Sequence, residues 1–480
     1  MKRINWDGKL TKFFERLTDI LIVVAAYILA VMMVSGHSLG ELFAGNDATR
    51  DSLITIGILV VGAFIFFRVY KISITQRSYV SVMFRSIISF VIIGLILYVF
   101  VLINTYYTLP RTAIALMIIY QIIAFAVLKY IAYVILKRVN IKTSLIFGPQ
   151  NEVDQLAKKI LYDDNIFIYL KYLVYDDFQN GEISKIYNYI QNIDYVYLTE
   201  SLSEDKKNII ISYCYKIKKS FFLVPKLYEL SINNAQVSQV GDTLLYEVSG
   251  LGLTVEQRFF KRAFDLLVSF IGIIVAAPFM VIIAIAIKLY DKGPVLYKQE
   301  RMTLDNKTFM LSKFRSMIPD AEAKTGAVQA SKNDPRITPI GKFLRKTRLD
   351  ELPQLFNVLK GEMSLVGPRA LRVEEVEEFI EYNSEFRYRM NVKAGITGYA
   401  QTMGKYYTNY NDKLRFDIFY ISNYSFLADM MIILHTVRSL FDPQSAEGLS
   451  EDISLEKCLS LEGYHILNTE NKFIRIVVTR

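Results

Sequence analysis

Four long apolar stretches constrain the fold of this 480-residue chain more than any other feature of its sequence. Each is close to the roughly 20 residues that an α-helix needs to cross a bilayer. A chain with 52% apolar residues and a positive mean hydropathy is typical of a membrane protein with several parts. We therefore predict four transmembrane helices within residues 1–140, near residues 17–35, 53–67, 86–103 and 112–136.

Basic residues surround these stretches unevenly, since two of the connecting loops contain only Arg50 and Arg111. Because basic residues prefer the cytoplasmic side, both ends of the bundle are predicted to face the cytoplasm. The first stretch lacks a small-residue cleavage site and should be retained. Anchoring is the expected role of the bundle, although Lys129 lies within the fourth stretch, where a charge would indicate transport. The basic residues on the predicted inner side are Lys2, Arg3, Lys9, Lys12, Arg16, Arg68, Lys71, Arg77, Arg85, Lys137, Arg138 and Lys142.

A fifth apolar stretch, residues 266–287, does not fit a simple membrane span. A fifth crossing would place the basic residues from Lys288 to Arg301 outside, against the charge preference. Pro278 lies in mid-stretch, where it removes a backbone donor and favours a bend. We therefore predict a re-entrant helix hairpin that bends at Pro278 and enters and leaves the bilayer on the cytoplasmic face.

Residues 141–250 alternate between strand-like and helix-like segments, which predicts a Rossmann-like α/β domain with a parallel sheet. The first strand is followed by a single glycine, Gly148, where the dinucleotide fingerprint needs three. Asp176 ends the second strand, where an acid binds a ribose in some proteins and merely caps a helix in others. We expect a regulatory or assembly role more than cofactor binding. The predicted elements are residues 143–147, 151–162, 169–175, 183–191, 193–199, 204–218 and 220–224.

Two adjacent carboxylates, Asp350 and Glu351, precede an apolar helical pattern and have arginines on both sides. Pro353 fits only in a first helical turn and Gly361 supplies a stop, so the pair is predicted at a helix N-terminus. Free backbone N–H groups and the helix dipole at that end keep a carboxylate ionised and attract phosphate. A capping pair without any chemistry is the common alternative for such a dipeptide.

Other kinds of site are not indicated. Cys214 and Cys458 lie far apart without metal-ligand spacing, and the three histidines form no cluster. Neither a disulfide framework, a zinc site nor histidine catalysis is therefore expected. The formal net charge of +9 is modest for the length of the chain. A run of basic residues before the carboxylates would attract anionic lipid and substrate, and no nucleic-acid motif accompanies this run. This run contains Arg336, Lys342, Arg345, Lys346 and Arg348.

Short motifs follow one another in a set order along the last part of the chain. They are Lys261-Arg262-Ala263-Phe264-Asp265, Lys292-Gly293-Pro294-Val295, Gln299-Glu300-Arg301, Lys313-Phe314-Arg315-Ser316-Met317, residues 349–354, residues 364–369 and Gly395-Ile396-Thr397-Gly398. In this order and spacing, the run from residue 261 to about residue 437 resembles the bacterial sugar transferase family, the monotopic phosphoglycosyl transferases.

The resemblance implies a catalytic domain over residues 258–445 with its re-entrant helix at residues 266–287. The preceding parts are similar to those of the larger family members. The predicted fold class is therefore membrane α plus α/β. It consists of a four-helix transmembrane bundle, a Rossmann-like α/β domain and a re-entrant-helix-anchored α/β catalytic domain. Residues 446–480 contain no motif that indicates a role.

The resemblance also implies a reaction, that of an undecaprenyl-phosphate sugar phosphotransferase. In such an enzyme Asp350 is the nucleophile that takes a phosphosugar from a UDP-sugar and releases UMP, the sugar being glucose, galactose or a derivative. Undecaprenyl phosphate then removes the phosphosugar, which initiates exopolysaccharide, capsule or related glycan synthesis. Glu351 is implied as the partner of Asp350 in metal binding or proton handling. Mg²⁺ or Mn²⁺ held by the two carboxylates is the expected cofactor.

Basic and polar residues of the matching region are the implied ligands of substrate phosphates, because a guanidinium can bind two phosphate oxygens at once. Two departures bear on them: Ala370 stands where the family often has proline, and Lys405 stands where it usually has arginine. The first would loosen the loop that carries Arg369, and the second keeps the charge without the bidentate fork. The implied phosphate-binding residues are Arg301, Lys313, Arg315, Arg345, Arg369, Gln401 and Lys405.

The resemblance implies a multi-pass protein of the bacterial inner membrane with its catalytic domain on the cytoplasmic face. Its expected partners are a UDP-sugar, undecaprenyl phosphate and the bilayer; nucleic acid is not expected, and a homo-oligomer is left open. One alternative is a membrane-bound NAD-dependent nucleotide-sugar dehydratase, because Tyr215 and Lys219 have the spacing that such enzymes use. The other is a non-catalytic membrane scaffold of glycan assembly, against which the intact Asp350 and Glu351 argue.

Overall fold

The structure is a computed structural model in which the chain forms two compact units, Met1–Pro225 with Asp452–Arg480, and Lys226–Glu451. Each unit is described by itself below. The residues that the structure describes are 9–36, 38–43, 47–69, 72–73, 79–104, 110–139, 141–162, 167–177, 180–232, 235–248, 250–319, 321, 334–404, 408–439, 454–461, 463–468 and 473–479.

The first unit begins with the predicted apolar helices. Four of its helices are long and apolar enough to cross a membrane, which confirms four apolar helices in this region. The rings of Phe67, Phe90 and Phe125, from three of them, pack against one another with centroids 4.9 to 6.1 Å apart. The helices are α1 (Lys9–Ser35), the short α2 (Leu39–Leu42), α3 (Asp47–Val69), α4 (Tyr79–Ile103) and α5 (Arg111–Val139).

Lys129, the charge that the sequence places within an apolar stretch, is paired in the structure. Its Nζ lies 2.9 Å from Glu15 Oε1 and 2.8 Å from a carboxylate oxygen of Asp19, both on α1. The side chains of Lys129 and Asp19 are almost fully buried. Charges in lipid are costly unless they are paired. Because Lys129 on α5 finds its partners on α1, the cluster holds these two helices together.

A parallel sheet follows the helices, as the alternating pattern predicted. Its strands pair in the order β2, β1, β3, β4, all in parallel. A Cβ at Gly148, at the end of β1, would lie 1.8 Å from Thr199 Oγ1, so only glycine fits there. The elements are β1 (Lys142–Gly148), α6 (Gln150–Leu161), β2 (Ile168–Tyr175), a 3-10 helix (Asn180–Ile186), α7 (Tyr187–Gln191), β3 (Tyr195–Leu198), α8 (Glu204–Lys216) and β4 (Ser220–Leu223).

The second unit is a compact α/β structure around one long helix. Its buried core joins residues from β8, β9 and several short helices. Its elements are α9 (Leu227–Ile232), β5 (Gln236–Val240), β6 (Thr243–Glu247), α10 (Val255–Asp291), β7 (Leu296–Met302), β8 (Thr308–Phe314), α11 (Pro339–Thr347), α12 (Gln354–Lys360), β9 (Ser364–Val366), α13 (Val373–Tyr382), β10 (Gly395–Thr397), α14 (Tyr399–Met403), α15 (Tyr410–Ser422) and α16 (Phe426–Ser439), with 3-10 helices at Leu304–Asn306, Leu349–Glu351 and Ser384–Asn391.

Helix α10 has one buried face and one exposed apolar face. Residues at helical spacing pack against the α/β core, and Ile283 and Ile287 lie with Phe314 and Leu344 in one cluster. The opposite face stays apolar and exposed, which fits contact with lipid rather than water. The buried face consists of Lys261, Asp265, Ser269, Ala276, Met280, Ile283 and Ile287, and the exposed face includes Leu267, Phe270, Ile274, Phe279, Ile282 and Ile285.

Pro278 lies inside α10, which is helical without interruption from Val255 to Asp291. The chain therefore does not form the two separate helices of the predicted hairpin. Proline removes a single backbone donor, and the helix continues through it because both halves pack on the same α/β structure. Gly272, before the proline, lies against the Leu355 side chain, and Ile287, after it, belongs to the cluster around Phe314.

The end of the chain returns to the sheet of the first unit through α17 (Leu455–Leu461), β11 (Tyr464–Asn468) and β12 (Ile474–Thr479). Strand β12 pairs antiparallel with β2 and with β11, so the full order is β11, β12, β2, β1, β3, β4. Leu459 and Val477 are buried in the same cluster as Leu173 of β2. A segment for which the sequence indicated no role thus completes a mixed sheet.

Candidate active site

Asp350 and Glu351 lie in a short turn between two helices. Helix α11 ends at Arg348, whose backbone is left-handed with φ 59°. One turn of 3-10 helix, Leu349–Glu351, follows, and α12 starts only after Pro353. The sequence predicted the pair at a helix N-terminus, and the structure places it in a 3-10 turn just before α12 rather than in the first turn of α12. Pro353 is the boundary because it cannot donate the backbone hydrogen bond that would merge the two helices.

Three cations surround the carboxylate of Glu351. Its Oε1 lies 3.1 Å from Lys313 Nζ and 4.0 Å from both Arg348 Nη1 and Arg369 Nη2. Burial raises the pKa of Glu351, but Lys313, Arg369 and Arg348 outweigh that effect and hold it below its ordinary value. Burial also lowers the pKa of Lys313. Glu351 is therefore held in its ionised form.

Asp350 has the opposite environment. It is only 8% exposed, and its Oδ1 is buried without a hydrogen-bond partner among the residues that the structure describes. Burial and the charge of Glu351 raise the pKa of Asp350, against the influence of Lys313, Arg345 and Arg348. An unpaired buried oxygen costs free energy, so it points to a ligand or a reacting atom that completes the site.

The two neighbouring carboxyl groups thus differ in their pKa, which is the usual sign of two roles in one site. Glu351 is neutralised by fixed cations, whereas Asp350 keeps an oxygen free to form a bond. Guanidinium and ammonium groups within a few ångströms can offset the charge of incoming phosphates. Such a site can carry out a displacement at phosphorus with a carboxylate as the nucleophile.

Arg369 reaches the carboxylate pair from the loop after β9. Strands β9 and β10 are parallel, and three glycines let their backbones touch. A Cβ on Gly395 would lie 2.1 Å from Gly367 N, and a Cβ on Gly398 would lie 2.2 Å from Gly367 O. These glycines fix where the loop leaves β9. The Arg369 side chain, 48% exposed, extends from it beside Glu351.

Two further predicted phosphate ligands, Arg345 and Arg315, differ in their position relative to the turn that contains Asp350. Arg345 donates from Nε to Ser316 Oγ at 2.8 Å and is close enough to Asp350 to lower its pKa. Arg315 instead pairs with Asp291 at the C-terminal end of α10. Arg345 therefore contributes positive charge at the site, whereas the contacts of Arg315 join α10 to β8.

The remaining predicted ligands make contacts with the protein backbone. Arg301 donates from Nη1 to the Ala370 carbonyl at 3.3 Å. Gln401 donates from Nε2 to the Ile396 carbonyl at 3.3 Å, and its Oε1 is buried without a partner in the described part of the chain. Lys405 lies outside the described residues.

Sequence reasoning assigned no role to several residues that shape the site. Arg348 was noted as a flanking arginine and as part of the basic run, and the structure adds that it lies 4.0 Å from Glu351. Lys261 Nζ lies 2.6 Å from Asp429 Oδ2, and Tyr420 donates to Asp429 Oδ1 at 2.7 Å. Asp265 accepts from a backbone N–H of β9 at 3.1 Å. Lys261 and Asp265 were visible in a matching motif, whereas Asp429 lies in the first turn of the apolar helix α16 and gave no signal.

The Tyr-x-x-x-Lys spacing of the dehydratase alternative has a structural explanation. Lys219 Nζ donates to the carbonyls of Ile190 and Gln191, at 3.0 and 2.7 Å, and so caps the end of α7. Tyr215 is 69% exposed and packs edge-on against Phe221. Both side chains are thus accounted for by packing and capping in the sheet domain.

Asp350 and Glu351 could hold a magnesium ion only together with other ligands, such as water and substrate phosphates. In the described part of the chain, no group of three or more His, Cys, Asp or Glu side chains could hold a metal ion by itself. Mg²⁺ commonly takes one or two carboxylates and completes its shell with water and substrate phosphates. The unpaired Oδ1 of Asp350 beside Glu351 suits an ion of that kind, arriving with a diphosphate.

Known proteins share the region that contains this site. The family model described as "Bacterial sugar transferase" matches residues 256–443. The exopolysaccharide production protein PSS of Rhizobium leguminosarum bv. phaseoli is 43% identical over 187 residues, which are 37% of this chain and 94% of that protein.

Two longer relatives are similar over part of their length. The UDP-N-acetylgalactosamine-undecaprenyl-phosphate N-acetylgalactosaminephosphotransferase of Aeromonas hydrophila is 41% identical over 38% of this chain and 44% of that protein. The UDP-glucose:undecaprenyl-phosphate glucose-1-phosphate transferase of Klebsiella pneumoniae is 34% identical over 55% of this chain and 59% of that protein. The chain spans about half the length of these curated relatives.

Proposed function

Because the chain belongs to the bacterial sugar transferase family, we propose that it transfers a sugar 1-phosphate from a UDP-sugar to undecaprenyl phosphate and releases UMP. The sugar is glucose, galactose or a derivative, and the product begins an exopolysaccharide, a capsule or a related glycan. Similar proteins are named for such transfers and for exopolysaccharide production. The observation that carries the proposal is the unpaired buried oxygen of Asp350 beside a Glu351 held by three cations.

In the first step a carboxylate oxygen of Asp350 attacks the phosphorus that bears the sugar. A bond forms between this oxygen and phosphorus, and the bond from phosphorus to the bridging oxygen of the diphosphate breaks. The bridging oxygen keeps the electron pair and leaves as part of UMP. Asp350 then carries the phosphosugar as an acyl phosphate.

In the second step an oxygen of undecaprenyl phosphate attacks the same phosphorus. The bond from phosphorus to the Asp350 oxygen breaks, which restores the carboxylate and yields the lipid diphosphate sugar. No net proton transfer is needed in either step. The pKa of Asp350, which burial raises, favours a nucleophile that is more basic than an exposed carboxylate.

The cations around Glu351 offset the charge that accumulates when two phosphate groups meet. Lys313 and Arg348 come from the strand before the site and from its own turn, and Arg369 comes from the loop after β9. Donors that already lie near the reacting groups reduce the reorganisation that charge stabilisation requires during the reaction. We assign them to the diphosphate of the donor and the phosphate of the acceptor.

We propose Mg²⁺, or Mn²⁺, as the cofactor, with Asp350 and Glu351 as its protein ligands. When bound, such an ion would neutralise phosphate oxygens and orient the donor. The support is the pair of adjacent carboxylates in the turn Leu349–Glu351.

We propose that α10 enters the bilayer from the cytoplasmic side and does not cross it. Its buried face packs against the α/β core from Lys261 to Ile287, and a helix that crossed the membrane would have to leave that core. Its exposed face is apolar along the same length. With the four N-terminal helices, this gives a multi-pass protein of the inner membrane whose site faces the cytoplasm.

Turnover by the full chain in lipid nanodiscs tests the proposal. A panel of UDP-sugars is supplied with undecaprenyl phosphate and Mg²⁺, and UMP is measured. We expect sustained UMP release with at least one sugar, its loss with a chelator, and its loss in Asp350→Asn. Asp242→Asn, an exposed acid in the turn between β5 and β6, is the matched control and should behave as the wild type.

Failure of every UDP-sugar in the panel, with folded protein, would contradict the transferase and favour a scaffold. Unchanged turnover in Asp350→Asn would contradict the assigned nucleophile alone. NAD that copurifies with the protein would instead favour the dehydratase alternative, with a cofactor site in the sheet domain.

A further inference from the structure

The loop that carries Arg369 is held by four consecutive backbone carbonyls. The Pro368 carbonyl accepts from Gly395 N at 2.9 Å, and the Leu371 carbonyl accepts from Met302 N at 3.0 Å. Between them, the Arg369 and Ala370 carbonyls accept from two guanidinium groups rather than from the backbone. Each residue of the loop from 368 to 371 is therefore held by a hydrogen bond to its carbonyl oxygen.

Arg389 is the donor to the Arg369 carbonyl, at 3.0 Å from its Nη2. The same nitrogen lies 2.9 Å from Asp417 Oδ2, and Arg389 Nε lies 3.2 Å from that oxygen. Arg389 is 6% exposed and Asp417 is 2% exposed. A buried arginine needs a paired charge, and Asp417, on α15, supplies it, so the guanidinium has little freedom to turn away from the loop.

Arg301 acts on the next residue from the opposite side. Its Nη1 lies 3.3 Å from the Ala370 carbonyl, and its Nη2 donates to Gln299 Oε1 at 2.5 Å. Glu375 Oε2 lies 3.7 Å from Nη1. These contacts direct Nη1 and Nη2 to the backbone and to neighbouring side chains, whereas Nε is buried without a hydrogen-bond partner among the described residues.

The loop has a reason to need this support. Ala370 stands where a proline would restrict the backbone, and alanine leaves the unfolded loop more conformations to lose. The half-exposed Arg369 side chain has many rotamers of its own, so its approach to Glu351 depends on a fixed backbone. Two guanidinium groups on successive carbonyls supply that restraint.

We propose that Arg389, held by Asp417, and Arg301 are positioning residues that fix the 368–371 backbone and thereby aim Arg369 at the carboxylate pair. The inference rests on the proposed function for the role of Arg369, but the restraint itself does not. It gives Arg301 a role at the loop, through the bond from Nη1 to the Ala370 carbonyl, that does not depend on a substrate phosphate. It also gives α15 and the 3-10 helix Ser384–Asn391 a part in the site without any contact with substrate.

Hydrogen exchange measures the restraint without reference to activity. In nanodiscs, peptides covering residues 367–376 should exchange on the order of 10-fold faster in Arg389→Lys than in the wild type, because lysine cannot bond the carbonyl and Asp417 together. Asp417→Asn should give a smaller change in the same direction. Arg387→Lys is the matched control, since Arg387 is exposed in the same 3-10 helix and bonds the Ser384 carbonyl. Unchanged exchange in Arg389→Lys would overturn the inference, whether or not any UDP-sugar is turned over.

A double-mutant cycle tests the link to Arg369. We expect Arg389→Lys to lower kcat by about 10- to 100-fold with little change in KM, and to add no further loss to Arg369→Lys. A merely structural role would give losses that multiply in the double variant, and that result would overturn the inference while leaving the transferase intact. Wild-type inactivity with every donor would contradict the proposed function instead, and the exchange result would still decide the restraint.

Discussion

Two buried clusters of the molecule combine lysine with a pair of carboxylates, and they differ in what they leave unpaired. Among the apolar helices, Lys129 lies within 2.9 Å of both Glu15 and Asp19, so each carboxylate has its cation. In the second unit, Lys313 pairs with Glu351, while Asp350 keeps a buried oxygen without a partner in the described part of the chain. The first arrangement is a completed connection between helices, and the second is a site that awaits another group.

The difference shows how to decide whether a buried charged cluster stabilises the fold or takes part in a reaction. A structural cluster tends to satisfy every buried polar atom, because an unpaired one costs folding free energy. A reactive cluster must keep one atom available and must place opposite charge where the substrate brings negative charge. Lys129, the basic residue within the predicted spans, belongs to the first kind, and anchoring remains the role predicted for these helices.

The largest expected effect that separates the two clusters is on stability. Lys129→Met leaves Glu15 and Asp19 buried without their cation, and we expect a loss of about 3–5 kcal/mol in the free energy of unfolding. Turnover per folded molecule should change little. Unfolding followed in mixed micelles, with the exposed Lys137→Met on the same helix as the control, measures this. A stable Lys129→Met protein that has lost turnover would reverse the assignment of that cluster.

Lys313→Met should have the converse effect. It removes the cation closest to Glu351, and we expect kcat to fall by about 100- to 1000-fold while the unfolding free energy changes much less. Steady-state UMP release in nanodiscs gives kcat and KM, and Lys298→Met, exposed on the neighbouring strand β7, is the control. Loss of folding without loss of turnover per folded molecule would place Lys313 with the structural cluster.

The smallest effect is a shift in the pH profile. Burial and Glu351 raise the pKa of Asp350, and the nucleophile must be ionised, so activity should be lost as pH falls through that raised pKa. The acid limb of kcat/KM, which reports the protein before the donor and its ion bind, should therefore lie above the value of about 3.9 that is usual for aspartate. Lys313 lowers the pKa of Asp350, so Lys313→Met should move the limb to higher pH. A limb that stays in place in this variant would argue that another group controls it.

Local pattern predicted much of the fold. Apolar length identified the helices α1, α3, α4 and α5, and strand–helix alternation located β1 to β4 within about two residues, because both signals lie in neighbouring residues. Strand β12 was missed because its partner β2 lies some 300 residues earlier, and its own residues gave no signal of that pairing. The hairpin was expected from the basic residues at both ends of the stretch and from Pro278, whereas packing on both sides of the proline keeps α10 helical.

The candidate site was predicted less evenly. The motif that contains Asp350 and Glu351 was visible, and Lys313 and Arg369 do lie beside Glu351. Motifs cannot say which acceptor a guanidinium chooses. In the structure Arg301 contacts the Ala370 carbonyl and Arg315 contacts Asp291, and each keeps a buried nitrogen without a partner in the described part of the chain, so their role as phosphate ligands stays a prediction. Arg389 and Asp417 carried no recognisable signal, because a buried pair that bonds a distant carbonyl is a property of the fold.

The covalent intermediate tests the central claim most directly. Wild-type protein in nanodiscs is mixed with a UDP-sugar labelled in the phosphate that bears the sugar, without undecaprenyl phosphate, and peptides are analysed by mass spectrometry. We expect one equivalent of UMP and a phosphosugar on Asp350, which disappears when undecaprenyl phosphate is added. A label on any other residue, or turnover with no label under these conditions, would contradict the account.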